Sequence, residues 1–466
     1  MRDHYKTLPI EDRRNVRYFT LVNLWNDSDV DLDHLRTTRA ALSKVLNSLS
    51  WSNAIELPKA IDPNKLIFAV DTSRLGWTRD HWIALIESYP YGLAYGSHSN
   101  PALKKLSDEL TFLANRDSQL LHLRADWFIS TATKPQLYHK LLYELVIPDL
   151  IQRKADLKTP NNPKHMTDLD LETFLKVNVA GNLFSNPPSV LRAGFVKSGI
   201  SGQNRMIEMH RLTSGRVYWK SYDFLASNRE AILAQFPLEP PNANNKHNSL
   251  AFKHDGGEII FTLPNGLQGY LLATGAGVRL DAGPIEIVGD SLRTSGNQTI
   301  VNGLSCIACH RNGMVEPPQD EIRKFASTFG DARRRVEELY VESEKMNSEI
   351  SRINQDFVAA AKQATESFLT DGVSVKLDFE RMPEPVAEVS RRFLLEAINL
   401  ETVACELDEA EPKDLEVLIR RSSELQSLGI SILTKEAGAI KRDAWESKAA
   451  YSLMQETARE LGFTPR

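Results

Sequence analysis

Long apolar runs are missing from this chain of 466 residues. No stretch of eighteen apolar residues occurs, so no transmembrane helix is expected. Blocks of basic residues are missing too. Lys plus Arg total 56 against 61 Asp plus Glu, a net charge of −5, which gives no electrostatic footprint for nucleic acid. Cysteine is scarce, with three in the whole chain beside eleven histidines. The catalytic signatures of common enzymes are also lacking. There is no Gly-rich phosphate loop, no Gly-x-Ser-x-Gly elbow and no His-Glu-x-x-His helix. What remains is an ordinary globular composition, 42% hydrophobic and 25% charged, long enough for two or three domains.

Against that background, two of the three cysteines stand together in Cys306-Ile307-Ala308-Cys309-His310. Thiols three residues apart lie on one side of a helical turn, and a histidine follows directly. That order suits covalent attachment of a porphyrin through both thiols, with the imidazole under the iron. Other chemistries use parts of it. A Cys-x-x-Cys can be a redox dithiol. Two thiols and a histidine can serve zinc, which needs a fourth ligand, and no second Cys-x-x-Cys exists. A disulfide within one helical turn is geometrically poor. Asn302-Gly303 before the motif and Asn312-Gly313 after it are turn pairs, consistent with a short helix. The third cysteine, Cys405, has no partner in sequence and reads as a small buried helix residue.

Periodicity divides the chain into an α+β arrangement of three regions. Residues 1–153 mix helical and strand-like pieces: a helix over 35–49, a strand over 65–70, a helix over 80–86 with Thr78 as its cap, and a helix over 135–146. Residues 154–165 read as a linking loop, with a helix over 167–177 beyond it. Residues 166–300 form a β-rich region. The alternations 205–212 and 217–222 flank Thr213-Ser214-Gly215, and 258–263 and 267–273 flank Pro264-Asn265-Gly266, which predicts two hairpins. Residues 284–288 could add a strand, and 240–244 read as a loop. Residues 301–466 are mainly helical, with helices expected across 320–369, 383–398, 414–428 and 444–461.

Residues 303–313 resemble the haem-attachment segment of c-type cytochromes. The resemblance implies one covalent haem c, with Cys306 and Cys309 as thioether cysteines and His310 as proximal ligand. It covers only this segment: the small all-helical cytochrome c domain does not align with the rest, where a β-rich region precedes the motif. In that family a downstream methionine supplies the distal ligand. Met382, in a loop ahead of a helix, suits the role best, whereas Met314 is one turn from His310 and Met346 lies inside a charged helix. His210 and His254, presented by the β-rich region, are the rivals. A lone loop methionine or strand histidine is more often a packing residue than a ligand.

Asp255 and Glu258 flank two glycines and read as turn chemistry. Asp168 and Asp170 read as first-turn helix acids, and Arg333-Arg334-Arg335 as a solvated helix face. The expected role is one-electron transfer with a redox partner protein in the bacterial cell envelope, in the periplasm or another extracytoplasmic space. Met1 to Lys6 carry no apolar signal segment, so a signal or anchor is expected to have been removed. Two other classes fit the motif: a haem enzyme of peroxidase type, and a binding or assembly protein in which haem is structural or sensory.

Overall fold

The computed structural model describes residues 1–27, 29–91, 120–156, 166–195, 204–224, 232–238, 246–284, 288–317, 319–371, 377–379, 381–407, 411–446 and 452–462. The chain is α+β, with a six-stranded antiparallel sheet at its centre. It divides into two compact units. One joins Met1–Leu42, Leu57–Thr131 and Glu388–Arg466, and the other joins Ser43–Glu56 and Ala132–Ala387. These units do not follow the three regions read from the sequence. The last helices group with the N-terminal strands, and the β-rich region groups with the helices that follow it. Periodicity reports local structure, whereas a compact unit is defined by non-local packing.

In the first unit a four-stranded sheet runs in the order β2 (Lys59–Ala60), β3 (Ile67–Asp71), β1 (Val16–Thr20), β4 (His122–Arg124). β1 pairs antiparallel with β3 and parallel with β4. Phe19 of β1 is fully buried and meets Trp82 of helix Arg79–Ser88 edge-on, with ring centroids 5.9 Å apart. Thr78 caps that helix as expected, in a capping box whose other half is His81.

In the second unit the sheet is a meander, β5 (Val190–Phe195), β6 (Arg205–Arg211), β7 (Val217–Asp223), β8 (Gly256–Thr262), β9 (Gln268–Thr274) and β10 (Arg279–Leu280). Both expected hairpins are present. Their turns need positive φ, which Gly215 (+80°) and Gly266 (+90°) supply without a Cβ penalty. Register then assigns the faces, because directly paired residues share a side of the sheet. Glu258 and Ile260 of β8 align with Leu272 and Tyr270 of β9 and, through Ile260, with Trp219 of β7. His210 aligns with Tyr218, which aligns with Phe261. Phe261 is three residues from Glu258, so His210 lies on the face opposite Glu258.

Different helices cover the two faces. On the His210 face, Met206 and Tyr222 pack with Ile322, Val336, Leu339 and Tyr340 from helices Ile322–Phe325 and Gly330–Leu339. On the Glu258 face, Arg211 reaches Glu349 of helix Ser343–Leu369 at 2.6 Å. That helix buries Ile350, Ile353 and Phe357, each contributing about 1.5–3 kcal/mol of apolar burial.

The helical stretch expected over 320–369 is divided into the helices Ile322–Phe325, Gly330–Leu339 and Ser343–Leu369. Helix 135–146 is Pro135–His139 followed by a wider turn over Lys140–Glu144. Residues 240–244, 285–287 and most of the expected linking loop lie outside the described residues. Cys405 is exposed, not buried. In helix Leu400–Glu406 the inward positions belong to Val403, Ala404 and Glu406.

Candidate functional site

Cys306 and Cys309 lie on the short helix Leu304–Cys309, and His310 is its C-terminal cap residue. The helix starts at Gly303, whose φ of +90° is costly for any residue with a side chain. A Cβ there would meet the Thr133 carbonyl oxygen at 2.6 Å, and Leu304 N–H donates to that same carbonyl at 3.0 Å. Asn302 adds a second tie. Its side-chain amide bonds His139 Nε2 at 2.6 Å, and its Oδ1 accepts from Cys306 Sγ at 3.8 Å. The motif is therefore anchored on the segment that leads into helix Pro135–His139.

His310 Nδ1 is 3.0 Å from the Gly313 carbonyl oxygen. A carbonyl only accepts, so Nδ1 carries a proton and is the donor of this bond. Nε2 faces Glu258 Oε2 at 3.6 Å, and the His310 ring lies 5.9 Å from the ring of Tyr270. The motif thus sits on the Glu258–Tyr270 face of the sheet. Burial alone would raise the Glu258 carboxyl. Hydrogen bonding and charge from His310, then Arg205 and Cys306, outweigh it and hold the group down at about 2.

Both cysteines are free thiols. Burial, then the Glu258 carboxylate, pushes the Cys306 thiol well above its ordinary range. Burial, then Asp290 and Glu258, pushes Cys309 up to about 12. A dithiol redox centre needs a stabilised thiolate, and this site does the reverse. Thioether sulfurs carry no charge and meet no such penalty. Among the described residues no group of three or more His, Cys, Asp or Glu is arranged to hold a metal ion.

The distal candidates separate sharply. His210 is fully buried, with Nε2 bonded to Glu208 Oε1 at 2.7 Å and Nδ1 to the Asn182 amide at 3.1 Å. Neither nitrogen has a free lone pair, and the sheet stands between His210 and His310. His254 packs edge-on against Tyr222, 4.9 Å between centroids, and against Phe252, both belonging to the His210 side. Burial, then Lys220, lowers it to about 4. Met382 is half-buried in the loop before helix Pro385–Leu395. Its carbonyl accepts from the Arg311 guanidinium at 3.2 Å. With Arg311, Asn312, Lys44 and Phe379 it lines a small solvent-open cleft. The fold therefore places Met382 beside the two residues that follow His310. Met346 is packed in its helix core, and Met314 N–H bonds Asn354 Oδ1 at 2.7 Å.

Tested against a covalent haem, the donor types match, but Glu258 Oε2 stands 3.6 Å from His310 Nε2 and would have to give way to an iron there. Two uncharged thiols share one turn, and the imidazole presents Nε2 from a fixed ring. Glu258 is the residue that sequence reasoning assigned to a turn. Its signal was its place two residues before Ile260 in an alternating strand. Thr167 and Asp170 form a capping box and Asp168 pairs with Lys220 at 2.7 Å, whereas the expected solvated face of Arg333 to Arg335 holds only in part: Arg334 is exposed, but Arg335 is mostly buried and donates to the Leu183 carbonyl. Among the described residues no helix is long and apolar enough to cross a membrane. The chain matches no family model, no curated protein and no solved structure.

Proposed function

We propose that this chain carries one haem c on Cys306 and Cys309, with His310 as its iron ligand, and that it passes single electrons outside the cytoplasm. The observation that carries the reading is the His310 Nδ1 bond to Gly313, which leaves Nε2 as the donor beside two thiols of one turn. Metal-ligating histidines are held in this way by a carbonyl on the other nitrogen. A bound haem would supply an iron centre that gains and loses one electron. Cys306 and Cys309 would hold it covalently, His310 would ligate it, and Met382, beside Arg311 and Asn312, is kept as the distal candidate. Glu258 and Tyr270 would close the site from the sheet side.

Co-expression with the periplasmic haem-c maturation machinery tests this. The denatured protein should keep one haem per chain by mass, and Cys306→Ala with Cys309→Ala should keep none. An unmodified mass with free thiols would defeat the proposal. The rival of peroxidase type rests on Glu258, a buried carboxylate 3.6 Å from the His310 nitrogen and a group able to move a proton. Peroxide turnover well above that of free haem, lost in Glu258→Gln, would favour it.

A further inference from the structure

One run of aromatic side chains leads away from His310, and the motif does not account for it. It begins with the Tyr270 ring, 5.9 Å from the His310 ring and tilted by 31°. Tyr270 lies on β9 beyond the short pairing of β9 with β10, which covers only Leu272 and Ala273. Two tyrosines take up its exposed backbone. Tyr270 N–H donates to Tyr138 Oη at 3.1 Å, and Tyr143 Oη donates to the Tyr270 carbonyl at 2.5 Å. Tyr143 also touches the far side of the sheet, where its ring is 6.3 Å from Phe261. Phe261 stacks on Trp51, centroids 5.8 Å apart and planes 16° from parallel. Trp51 donates from Nε1 to the Leu142 carbonyl at 2.7 Å and is partly exposed, next to exposed Asn53 and Ala54.

Every member before Trp51 is buried. The bonds to the Tyr270 backbone satisfy the Tyr138 and Tyr143 hydroxyls, as buried phenols require, and they also join the rings through bonded atoms. Electron tunnelling falls steeply across empty gaps and less steeply through packed, bonded atoms. We propose that this run, Tyr270–Tyr143–Phe261–Trp51, is the route by which an electron moves between the haem site and the surface, with Trp51 as its port. The inference rests on the haem reading above and adds where a one-electron partner must approach. No bond would be made or broken: a bound haem would supply one electron, and a one-electron acceptor docked at Trp51 would gain it.

The test uses the haem-loaded full chain with Cys405→Ser and a ruthenium tris-bipyridyl label on Asn53→Cys. A flash with an oxidative quencher leaves Ru(III), and the haem oxidation that follows is timed optically. A second protein carries the label on Thr213→Cys, an exposed turn residue of the same unit. Trp51→Phe and Trp51→Ala should slow oxidation from position 53 at least tenfold. They should leave the rate from position 213, the haem spectrum and the reduction potential unchanged. In the haem-free chain the flash should give a tryptophan radical cation, as Trp51 gives one electron to Ru(III), and Trp51→Phe should abolish it. Unchanged rates from position 53, or equal slowing from both labels, would overturn the route. A chain that takes up no haem would instead overturn the underlying reading, while the radical signal would still report on Trp51.

Discussion

At the scale of single residues, the site turns on which nitrogen has a lone pair to give. In His310 the Nδ1–H donates to the Gly313 carbonyl, which leaves Nε2, facing Glu258, as the nitrogen that could ligate. His210 has none, because Glu208 and Asn182 take both positions. This difference predicts an ordered set of spectra for the haem-loaded protein. His310→Ala should change the iron's ligand field outright. Met382→Ala should remove the sulfur-to-iron charge-transfer band and lower the reduction potential, since methionine–histidine ligation raises it. His254→Ala should leave both unchanged. His210→Ala should leave the spectrum unchanged in whatever fraction folds, but it should be destabilised. It removes a partner of the fully buried Glu208, which Arg192 also holds at 2.5 Å, and breaking such a network costs about 3–5 kcal/mol. A spectrum that shifts in His210→Ala and not in Met382→Ala would reverse the ligand assignment.

At the scale of elements, local patterns were readable and long-range placement was not. Both hairpins announced themselves through alternation and a Gly turn. The motif helix was flanked by visible turn pairs. Which face of the sheet each histidine occupies was not readable, because it depends on how β7 registers against β8. Those strands are joined across residues 224–255, with no tight turn to fix the pairing. The same gap hid Glu258, whose local context of Asp255-Gly256-Gly257 looked like a turn. Gly303 shows an element-scale requirement that sequence only hinted at. It starts the motif helix at positive φ with the Thr133 carbonyl where a Cβ would go. Gly303→Ala should therefore cost about 1–3 kcal/mol in backbone strain, with the clash in addition. A lower urea midpoint for the variant, with an unchanged m-value, would register it. Gly215→Ala, which also has positive φ but meets nothing within 4 Å, should cost less. Equal losses at the two glycines would show that the Thr133 contact is unimportant.

At the scale of the whole molecule, a cluster of buried charges lies in the unit that does not contain Cys306. In the unit that contains β1, Arg124 bonds Asp126 at 2.7 Å and Glu406 at 3.0 Å, and Arg442 bonds Glu396 at 2.8 Å and also Glu406. Trp445 Nε1 donates to Glu406 at 2.8 Å, and Tyr91 Oη contacts Glu446. Two guanidiniums thus face four carboxylates. Glu446 is the one left short of positive charge. Burial, only partly offset by Arg442 and Arg124, raises it from 4.5 to about 8. Its folded-state value lies above its unfolded one, so the unfolded chain releases this proton first as pH rises. The contribution to stability is complete below about pH 4.5 and is lost as pH climbs through 8. Between those limits the slope from this group is up to about 1.4 kcal/mol per pH unit. Denaturant titrations of the full chain from pH 5 to 9 should show stability falling, and Glu446→Gln should flatten the fall. The amide keeps a donor for its neighbours and cannot ionise, so the variant should match the native chain near pH 5 and exceed it near pH 9. Identical slopes in the two proteins would assign the pH dependence to other groups and leave Glu446 ionised inside the cluster.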